Sequence, residues 1–300
     1  MKITSSQAST SRKANLVKSL STLALATMAV FGAVSPASAA PILGSALASF
    51  AVLGATGVTN VPTSTIGGNL GSAPNPSVGG GYVFTAGSLQ PNTPLAQQAQ
   101  IDLDAAILAL AAFGPGTTVT GGNLDAFQAG NGGVINPGTY TVPSAIVNLT
   151  GDLFLDGGGS NSAVFVFQFP STFITGSVST ISVINAGDGA NVGVYFNVGT
   201  AATLNGPLLS GNVLATTIAS SDGNLTIPCG RLLASESQVT LIQDNISIGC
   251  AGVGFGSSGF DQGGSGGEGG SNGQVVPEPG SLALLGLGLA GLGFVRRRQR

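Results

Sequence analysis

The sequence contains no histidine and no tryptophan, and only 7% of its 300 residues are charged. Without histidine the chain cannot form a Ser/His/Asp or Cys/His triad or a histidine-ligated zinc site. It also lacks the one side chain whose unperturbed pKa lies near neutral pH. These absences argue against most hydrolase and metalloenzyme chemistry. We therefore expect no metal site, no cofactor and no enzymatic activity.

Basic residues are scarce and confined to the ends of the chain. Eight of the nine Lys and Arg residues lie in the two terminal segments, and Arg231 is the single base between them. The same stretch holds eleven Asp and Glu residues, so its formal charge is −10, whereas the whole chain carries −3. Nucleic-acid binding requires a field of lysine or arginine that neutralises phosphates. We expect no nucleic-acid partner.

The first 39 residues have the composition of a secretory signal peptide. A basic stretch through Lys18 precedes an apolar run at residues 20–34 and a short segment of small residues. Cleavage by a signal peptidase after Ala39 is favoured over cleavage after Ala40, which would leave Pro41 as the first mature residue. The alternative, a transmembrane anchor, is disfavoured because the apolar run is shorter than the ~20 residues of a spanning helix. The sequence predicts an exported protein.

The C-terminal segment combines three features in a fixed order. A Gly/Ser-rich linker at residues 252–275 is followed at 276–300 by a short motif, an apolar run and an arginine cluster. This order resembles the PEP-CTERM sorting signal of Gram-negative bacteria that make extracellular polysaccharide. The resemblance implies transient membrane insertion, processing by an exosortase, and a secreted or cell-surface location; a permanent single-span anchor is the alternative. The residues that carry the signal are Pro277, Glu278, Pro279, Arg296, Arg297 and Arg298.

The two cysteines agree with export. Cys229 and Cys250 are 21 positions apart, and an even pair in an oxidising compartment is expected to form a disulfide. A loop of this length would stabilise the fold by roughly 3 kcal/mol. Two thiols alone are a weak metal site.

Residues 40–251 consist mainly of short β-prone runs separated by Gly, Asn, Pro or Asp, which predicts an all-β domain. The sequence GNVLA at 211–215 recurs 19 residues later as GRLLA at 230–234, and GGNL at 67–70 recurs at 121–124. A repeat too short to bury its own apolar face is typical of a solenoid, in which successive coils stack. We therefore predict a parallel β-solenoid, with a β-sandwich as the alternative.

One segment predicts a helix instead. Residues 94–113 begin with Pro94 after a potential Thr93 cap and end before the Gly-Pro-Gly at 114–116. The apolar residues within the segment recur at helical spacing, so the helix should pack along one side of the solenoid. These residues are Ala99, Leu103, Ala106, Ile107 and Leu110.

A set of segments, in order along residues 43–250, resembles the microbial ice-binding (antifreeze-like) family. The segments are FAVL (50–53), VTN (58–60), GGNLG (67–71), QQAQIDL (97–103), PGTY (137–140), LTGDL (149–153), AVFVFQ (163–168), VGTAATL (198–204), GNVLA (211–215) and GRLLA (230–234). The resemblance implies a right-handed, discontinuous β-solenoid of triangular cross-section with a long helix packed beside it. It also implies a protein that adsorbs to ice.

Ice adsorption requires a flat, rigid array of groups that order water, and outward threonines on stacked strands meet this need. Some family members carry a Thr-Ala/Gly-x-Thr/Asn motif, which occurs here three times. Thr226 and Thr240 each precede an inward aliphatic residue, as Thr203 does, and are candidates for the same face. The candidate ice-binding residues are Thr56, Thr59, Thr120, Asn123, Thr200, Thr203, Thr226 and Thr240.

Three functions remain open. The first is an exported ice-binding protein whose partner is the ice–water surface. The second is a structural or adhesive protein of the extracellular matrix that uses the same fold without ice binding and contacts extracellular polysaccharide. The third and weakest is a polysaccharide-cleaving enzyme, for which the sequence offers no paired-carboxylate motif.

Overall fold

Short parallel strands make up most of the structure, a computed structural model that describes residues 42–160, 163–186 and 192–249. Among these residues, no helix is long and apolar enough to cross a membrane. Several predicted features lie outside the described residues: the signal peptide with its cleavage site at Ala39 or Ala40, the linker, the sorting signal and Cys250. Cys229 is fully buried, and its pairing with Cys250 stays a prediction.

The strands form three sheets, which we call A, B and C and list in spatial order. Sheet A contains β6 (Leu89–Pro91), β4 (Asn69–Ser72), β1 (Phe50–Gly54), β19 (Gly230–Ala234), β16 (Gly211–Ala215), β13 (Gly193–Val198), β10 (Val164–Phe169), β8 (Gly138–Thr141) and β7 (Thr117–Thr118). Sheet B contains β11 (Phe173–Ile174), β14 (Ala202–Leu204), β17 (Ala219–Ser221), β20 (Gln238–Ile242) and β2 (Gly57–Val61). Sheet C contains β5 (Tyr82–Ala86), β3 (Ser64–Gly67), β21 (Asn245–Ser247), β18 (Thr226–Ile227), β15 (Leu208–Leu209), β12 (Thr180–Ile184) and β9 (Asp152–Asp156).

In five coils the chain visits the three sheets in turn and contributes one strand to each, whereas strands β4 to β9 belong to sheets A and C alone. Strands β13, β14 and β15 form one coil, and β16, β17 and β18 form the next. The repeated segments Gly211–Ala215 and Gly230–Ala234 pair residue for residue as β16 and β19. Every strand pairing in the described ranges is parallel, which excludes the antiparallel β-sandwich. The predicted parallel solenoid is confirmed.

The second predicted repeat is wrong. Residues 67–70 span the corner between β3 and β4, where the chain passes from sheet C to sheet A. Residues 121–124 instead lie in a 3₁₀ turn (Thr120–Gly122) and at the start of a helix, α3 (Leu124–Gly130). The two GGNL segments therefore have different backbone conformations and are not equivalent coils.

The order of coils in space differs from their order in the sequence. The N-terminal coil of β1, β2 and β3 stacks on the C-terminal coil of β19, β20 and β21. We call this contact the junction. It pairs Thr59 with Thr240, residues that are far apart in the sequence. The solenoid is therefore discontinuous, as the family resemblance implies.

The predicted long helix is present as α2 (Pro94–Ala111) and ends two residues before the predicted end. The hydroxyl of Thr93 caps its first turn by accepting a hydrogen bond from the Ala96 amide at 3.2 Å. Ile107 is only partly buried, in contrast to the prediction. The buried face of α2 consists of Ala96, Ala99, Leu103, Ala106 and Leu110.

Helix α2 covers the outer face of sheet A. Its buried residues share one apolar cluster with Leu53, Tyr195, Leu214 and Leu233 of that sheet. The other face of sheet A lines the solenoid interior, so β1, β16 and β19 are buried along their whole length. Parallel strands covered on both faces are expected to be continuously apolar. The helix thus closes one of the three sides of the solenoid to solvent.

A short helix, α1 (Ser45–Ala48), is fixed at both ends by side chains from other elements. Asp102 of α2 accepts hydrogen bonds from the amides of Ala46 and Leu47 at 3.1 and 3.2 Å. Arg231 of β19 donates to the Ala48 carbonyl at the other end. A carboxylate at the N-terminus and a guanidinium at the C-terminus both complement the helix dipole.

We predict that replacing Leu103 by alanine lowers the free energy of unfolding by about 2–5 kcal/mol, because it opens a cavity between α2 and sheet A. The matched control is Leu108→Ala on the same helix, where the leucine is 71% exposed and the expected loss is about 0.5 kcal/mol or less. Denaturant titration followed by circular dichroism measures both values. Equal losses in the two variants would contradict the packing of α2 on sheet A.

Candidate functional site

Two of the three sheets present their outer faces to solvent. The outer face of sheet A lies under α2, whereas the outward side chains of sheets B and C are exposed or partly exposed. A surface that binds an extended solid must be regular and open. The candidate site is therefore on sheet B or sheet C.

The outward side chains of sheet B form a row of hydroxyl groups. Strand register places Thr203 beside Ser220, Ser220 beside Thr240, and Thr240 beside Thr59. The hydroxyls of Thr59 and Thr240 form a hydrogen bond of 3.1 Å. The inward residues of the same strands, Val58, Val239, Ala219 and Ala202, are buried in the solenoid core. This alternation fixes the row on the outer surface.

A second hydroxyl row runs along the edge of sheet B, three residues before the first. Thr217 bonds through its amide to the Thr200 carbonyl at 2.9 Å, and Thr56 bonds to the Ser237 carbonyl at 3.1 Å. Each of four consecutive coils thus offers one threonine or serine to each row. We call these eight residues the hydroxyl face: Thr56, Thr59, Thr200, Thr203, Thr217, Ser220, Ser237 and Thr240.

The geometry of the hydroxyl face suits the ordering of water. Neighbouring parallel strands lie about 4.8 Å apart, so the hydroxyls of each row repeat at this interval. Threonine is β-branched and has restricted χ1 freedom, which keeps its methyl and hydroxyl groups in a fixed arrangement. None of the eight side chains is charged. A regular network of water molecules can therefore form on the hydroxyl face without desolvating any charged side chain among these eight residues.

Apolar residues limit the extent of the hydroxyl face. Ile174 on β11 pairs with Thr203 on β14. The first row therefore ends at Thr203, because the next position holds an apolar side chain. Val61, 51% exposed, lies two residues beyond Thr59 at the end of β2. Ile218, 37% exposed, lies within the face, between the two rows. The regular part of the surface is therefore four coils wide.

The outer face of sheet C is less regular. One row across it runs through residues that differ in size, polarity and charge, namely Asp152, Thr180, Leu208, Thr226, Asn245, Thr65 and Val83. Its terminal strand, β9, carries the carboxylate of Asp152 and the large side chain of Phe154, which is 37% exposed. This mixture does not form a repeating array.

Five of the eight sequence-predicted residues lie together on the hydroxyl face: Thr56, Thr59, Thr200, Thr203 and Thr240. Thr226 does not, because β18 belongs to sheet C. The sequence around Thr226 matches that around Thr240. The alternation of polar and apolar residues shows which side chains point outward, but it does not show to which sheet a strand belongs.

Thr120 and Asn123 are also placed away from the hydroxyl face. Thr120 begins the 3₁₀ turn, and Gly121 and Gly122 both have φ of +68°, a conformation that cannot continue a strand. Asn123 caps α3, since its side-chain oxygen accepts a hydrogen bond from the Ala126 amide at 2.7 Å. The copy of the motif at residues 120–123 therefore forms the start of a helix.

Three residues of the hydroxyl face were not predicted: Thr217, Ser220 and Ser237. The segments Thr-Ile-Ala-Ser at 217–220 and Ser-Gln-Val-Thr at 237–240 depart from the threonine motif in its first, second or last position. A search that accepted serine at either end and any residue at the second position would have found both.

One buried charge lies on sheet A, against α1. Arg231, the single base of the described residues, is fully buried and donates to the Asn212 side chain at 2.8 Å. Burial lowers the pKa of Arg231 to about 10. The surface of the described residues consequently carries no basic side chain.

A buried carboxylate, Asp244, lies at the corner between sheets B and C. It accepts hydrogen bonds from the amides of Leu225 and Ile242 at 2.9 and 3.0 Å and from the hydroxyl of Ser221. Burial raises the pKa of Asp244, and these three hydrogen bonds oppose the rise. In the described ranges, no group of three or more acidic or cysteine residues could hold a metal ion.

Comparison with known proteins gives consistent matches. A family model described as ice-binding-like matches residues 52–247, and a model of the PEP-CTERM protein-sorting motif matches residues 275–298. A protein named ice-binding protein from Nostoc sp. (strain HG1) is 35% identical over 286 residues, which cover 92% of this chain and 94% of the relative.

Two crystal structures have the same fold. An ice binding protein from an Antarctic biological consortium superposes with a TM-score of 0.60 at 28% identity, covering 72% of this chain and 94% of its own. An ice-binding protein from the Antarctic ascomycete Antarctomyces psychrotrophicus superposes with a TM-score of 0.55 at 32% identity, covering 68% and 96%.

Proposed function

This chain belongs to the ice-binding-like family and carries a PEP-CTERM sorting motif, and from this premise we propose that it is exported and adsorbs to ice through the hydroxyl face. The observation that carries the proposal is the pair of hydroxyl rows on four stacked coils of sheet B. Adsorption to a solid needs neither a catalytic group nor a cofactor, so we propose no enzymatic activity.

Several properties of the surface support adsorption by sheet B rather than by sheet C. The hydroxyl face is uncharged and repeats at the strand interval, whereas the outer row of sheet C includes Asp152 and Leu208. A flat array can present many groups to one crystal plane at once, and the backbone ladder beneath keeps these groups from moving independently. Because the regular region is only four coils wide and is bounded by Ile174, we propose moderate rather than strong inhibition of ice growth.

We predict that Thr203→Tyr abolishes most of the thermal hysteresis and the inhibition of ice recrystallisation. The large ring would stand above the plane of the hydroxyl face and separate its neighbours from the ice. Thr226→Tyr on sheet C is the matched control, because Thr226 is also a partly exposed outward threonine on an internal strand. Its activity should equal that of the wild type. Loss of activity in the control alone would place the ice-binding surface on sheet C.

The C-terminal motif supports a second proposal, that the exported chain is processed at the cell surface. In the family that the sorting signal resembles, an exosortase cuts near a Pro-Glu-Pro sequence, here Pro277, Glu278 and Pro279. We propose that the apolar run at 281–295 inserts transiently into the membrane of a Gram-negative bacterium and that Arg296, Arg297 and Arg298 hold its end in the cytoplasm.

Replacing Pro277, Glu278 and Pro279 together by alanine should prevent this cleavage. We expect the variant to remain in the membrane fraction with its C-terminus intact, while the wild type appears as a shorter exported form. Intact-mass spectrometry of fractionated cells measures the difference. A linker variant, Gln274→Ala, serves as control. Identical masses for the triple variant and the wild type would contradict processing at this motif.

The alternative function is a structural or adhesive role in an extracellular polysaccharide matrix. The observation that favours it is the sorting motif at residues 275–298, which addresses the chain to the cell surface. Under this alternative, Thr203→Tyr would leave the function unchanged, since the hydroxyl face would not be the contact surface. The same pair of variants therefore separates the two functions.

A further inference from the structure

The hydroxyl face crosses the junction between the two ends of the solenoid. Thr56 and Thr59 belong to the N-terminal coil, whereas Ser237 and Thr240 belong to the C-terminal coil. No short connection links these coils, so the pairing of β2 with β20 must be fixed by side chains and backbone contacts. A slip of one residue would turn Thr59 inward and Val58 outward. The placement of Thr56 and Thr59, two of the eight residues of the hydroxyl face, therefore depends on the register at the junction.

Hydrophobic patterning alone specifies this register weakly in sheet A. Strands β1 and β19 pair at the junction and are buried along both faces. A one-residue slip of two such strands exchanges one apolar side chain for another, and the resulting cost is small compared with that for an alternating strand. A polar contact of defined geometry could discriminate far more strongly, because a misplaced polar group in the interior loses its partners.

Asp244 makes such contacts to three successive coils. Its carboxylate accepts hydrogen bonds from Ser221 and Leu225 of the preceding coil and from Ile242 of its own coil. Its backbone amide donates to the Ser64 hydroxyl at 3.0 Å, and its carbonyl accepts from the Thr65 amide at 2.7 Å, both across the junction. The residue is 1% exposed.

A chain of hydrogen bonds leads from Asp244 to the hydroxyl face. The Ser64 hydroxyl, which accepts from Asp244, donates to the Asn60 side chain at 2.7 Å. Asn60 in turn donates to the carbonyls of Gly80 and Gly81 and directly follows Thr59 in β2. On the other strand, Asp244 bonds the amide of Ile242, two residues after Thr240.

We propose that Asp244 is a positioning residue of the hydroxyl face, which fixes the register of β2 on β20 so that the threonine rows continue across the junction. The proposal rests on the proposed function for its consequence in ice binding. A buried carboxylate contributes little net stability because of its desolvation cost, but here it holds the Asp244 backbone against the preceding coil through Ser221 and Leu225. That backbone donates to the Ser64 hydroxyl and accepts from the Thr65 amide, and a slipped register would leave both backbone groups without these partners. Its role is therefore specific to the alignment of the two coils.

A double-mutant cycle tests this role. Thr59→Tyr lies on the junction side of the hydroxyl face, and Thr203→Tyr lies on β14, away from the junction. Each should lower thermal hysteresis at least about twofold in the wild type. In an Asp244→Asn background, Thr59→Tyr should have almost no further effect, because the rows are already broken there. Thr203→Tyr should lower the remaining activity by the same factor as in the wild type.

Asn148→Ala provides a matched structural control. Asn148 is also fully buried, at the opposite end of sheet B, where it donates to the Gly122 carbonyl and accepts from the Ile174 amide. In this background Thr59→Tyr should keep its full effect. If Asp244 acted only through overall stability, the two backgrounds would behave alike and both cycles would be additive. That result would overturn the proposal.

Amide hydrogen exchange supplies a readout that does not depend on ice. Asp244→Asn should raise the exchange rate of residues 57–61 at least about tenfold and leave that of residues 202–204 unchanged. Unchanged exchange at 57–61 would overturn the positioning role. A folded wild type without ice activity would instead refute the proposed function, and the exchange experiment would still decide whether Asp244 positions β2.

Discussion

The structure depends on the in-register stacking of coils, each too small to bury its own apolar side chains. Five of the coils contribute a strand to each of the three sheets, and the inward residues of a coil pack against those of the coils above and below it. A stack of aromatic rings shows this dependence: Tyr140, Phe167 and Phe196, from successive strands of sheet A, have centroids 5.4 and 5.2 Å apart. Backbone ladders and side-chain stacks thus reinforce one register.

The same stacking determines which surfaces are available. Helix α2 follows the N-terminal coils in the sequence and covers the outer face of sheet A. Sheet C carries a mixture of acidic, apolar and polar side chains. Sheet B is left as the regular, uncharged surface. The lack of charge that first excluded other functions is thus a property of the surface that carries the proposed one, and the single base of the described residues, Arg231, is buried.

Local sequence signals predicted the parts of the structure that depend on neighbouring residues. The cap at Thr93, the start at Pro94 and the paired strands at 211–215 and 230–234 are confirmed. The junction has no local signature, because it pairs strands that are far apart in the sequence. The family resemblance implied a discontinuous solenoid but not which strands meet at the junction. For the same reason, Thr226 and Thr240 could not be assigned to different sheets from sequence. At Thr120, positive φ at two glycines overrode the motif.

The most direct test of ice adsorption is whether the folded, exported protein enters growing ice. Protein processed from the full chain would be frozen slowly in dilute solution, and its concentration compared in the ice and in the remaining liquid, beside a non-binding protein of similar size. Adsorption through the hydroxyl face predicts enrichment in the ice relative to that control. Exclusion from the ice at saturating concentration, by protein with native circular dichroism and cooperative unfolding, would contradict it.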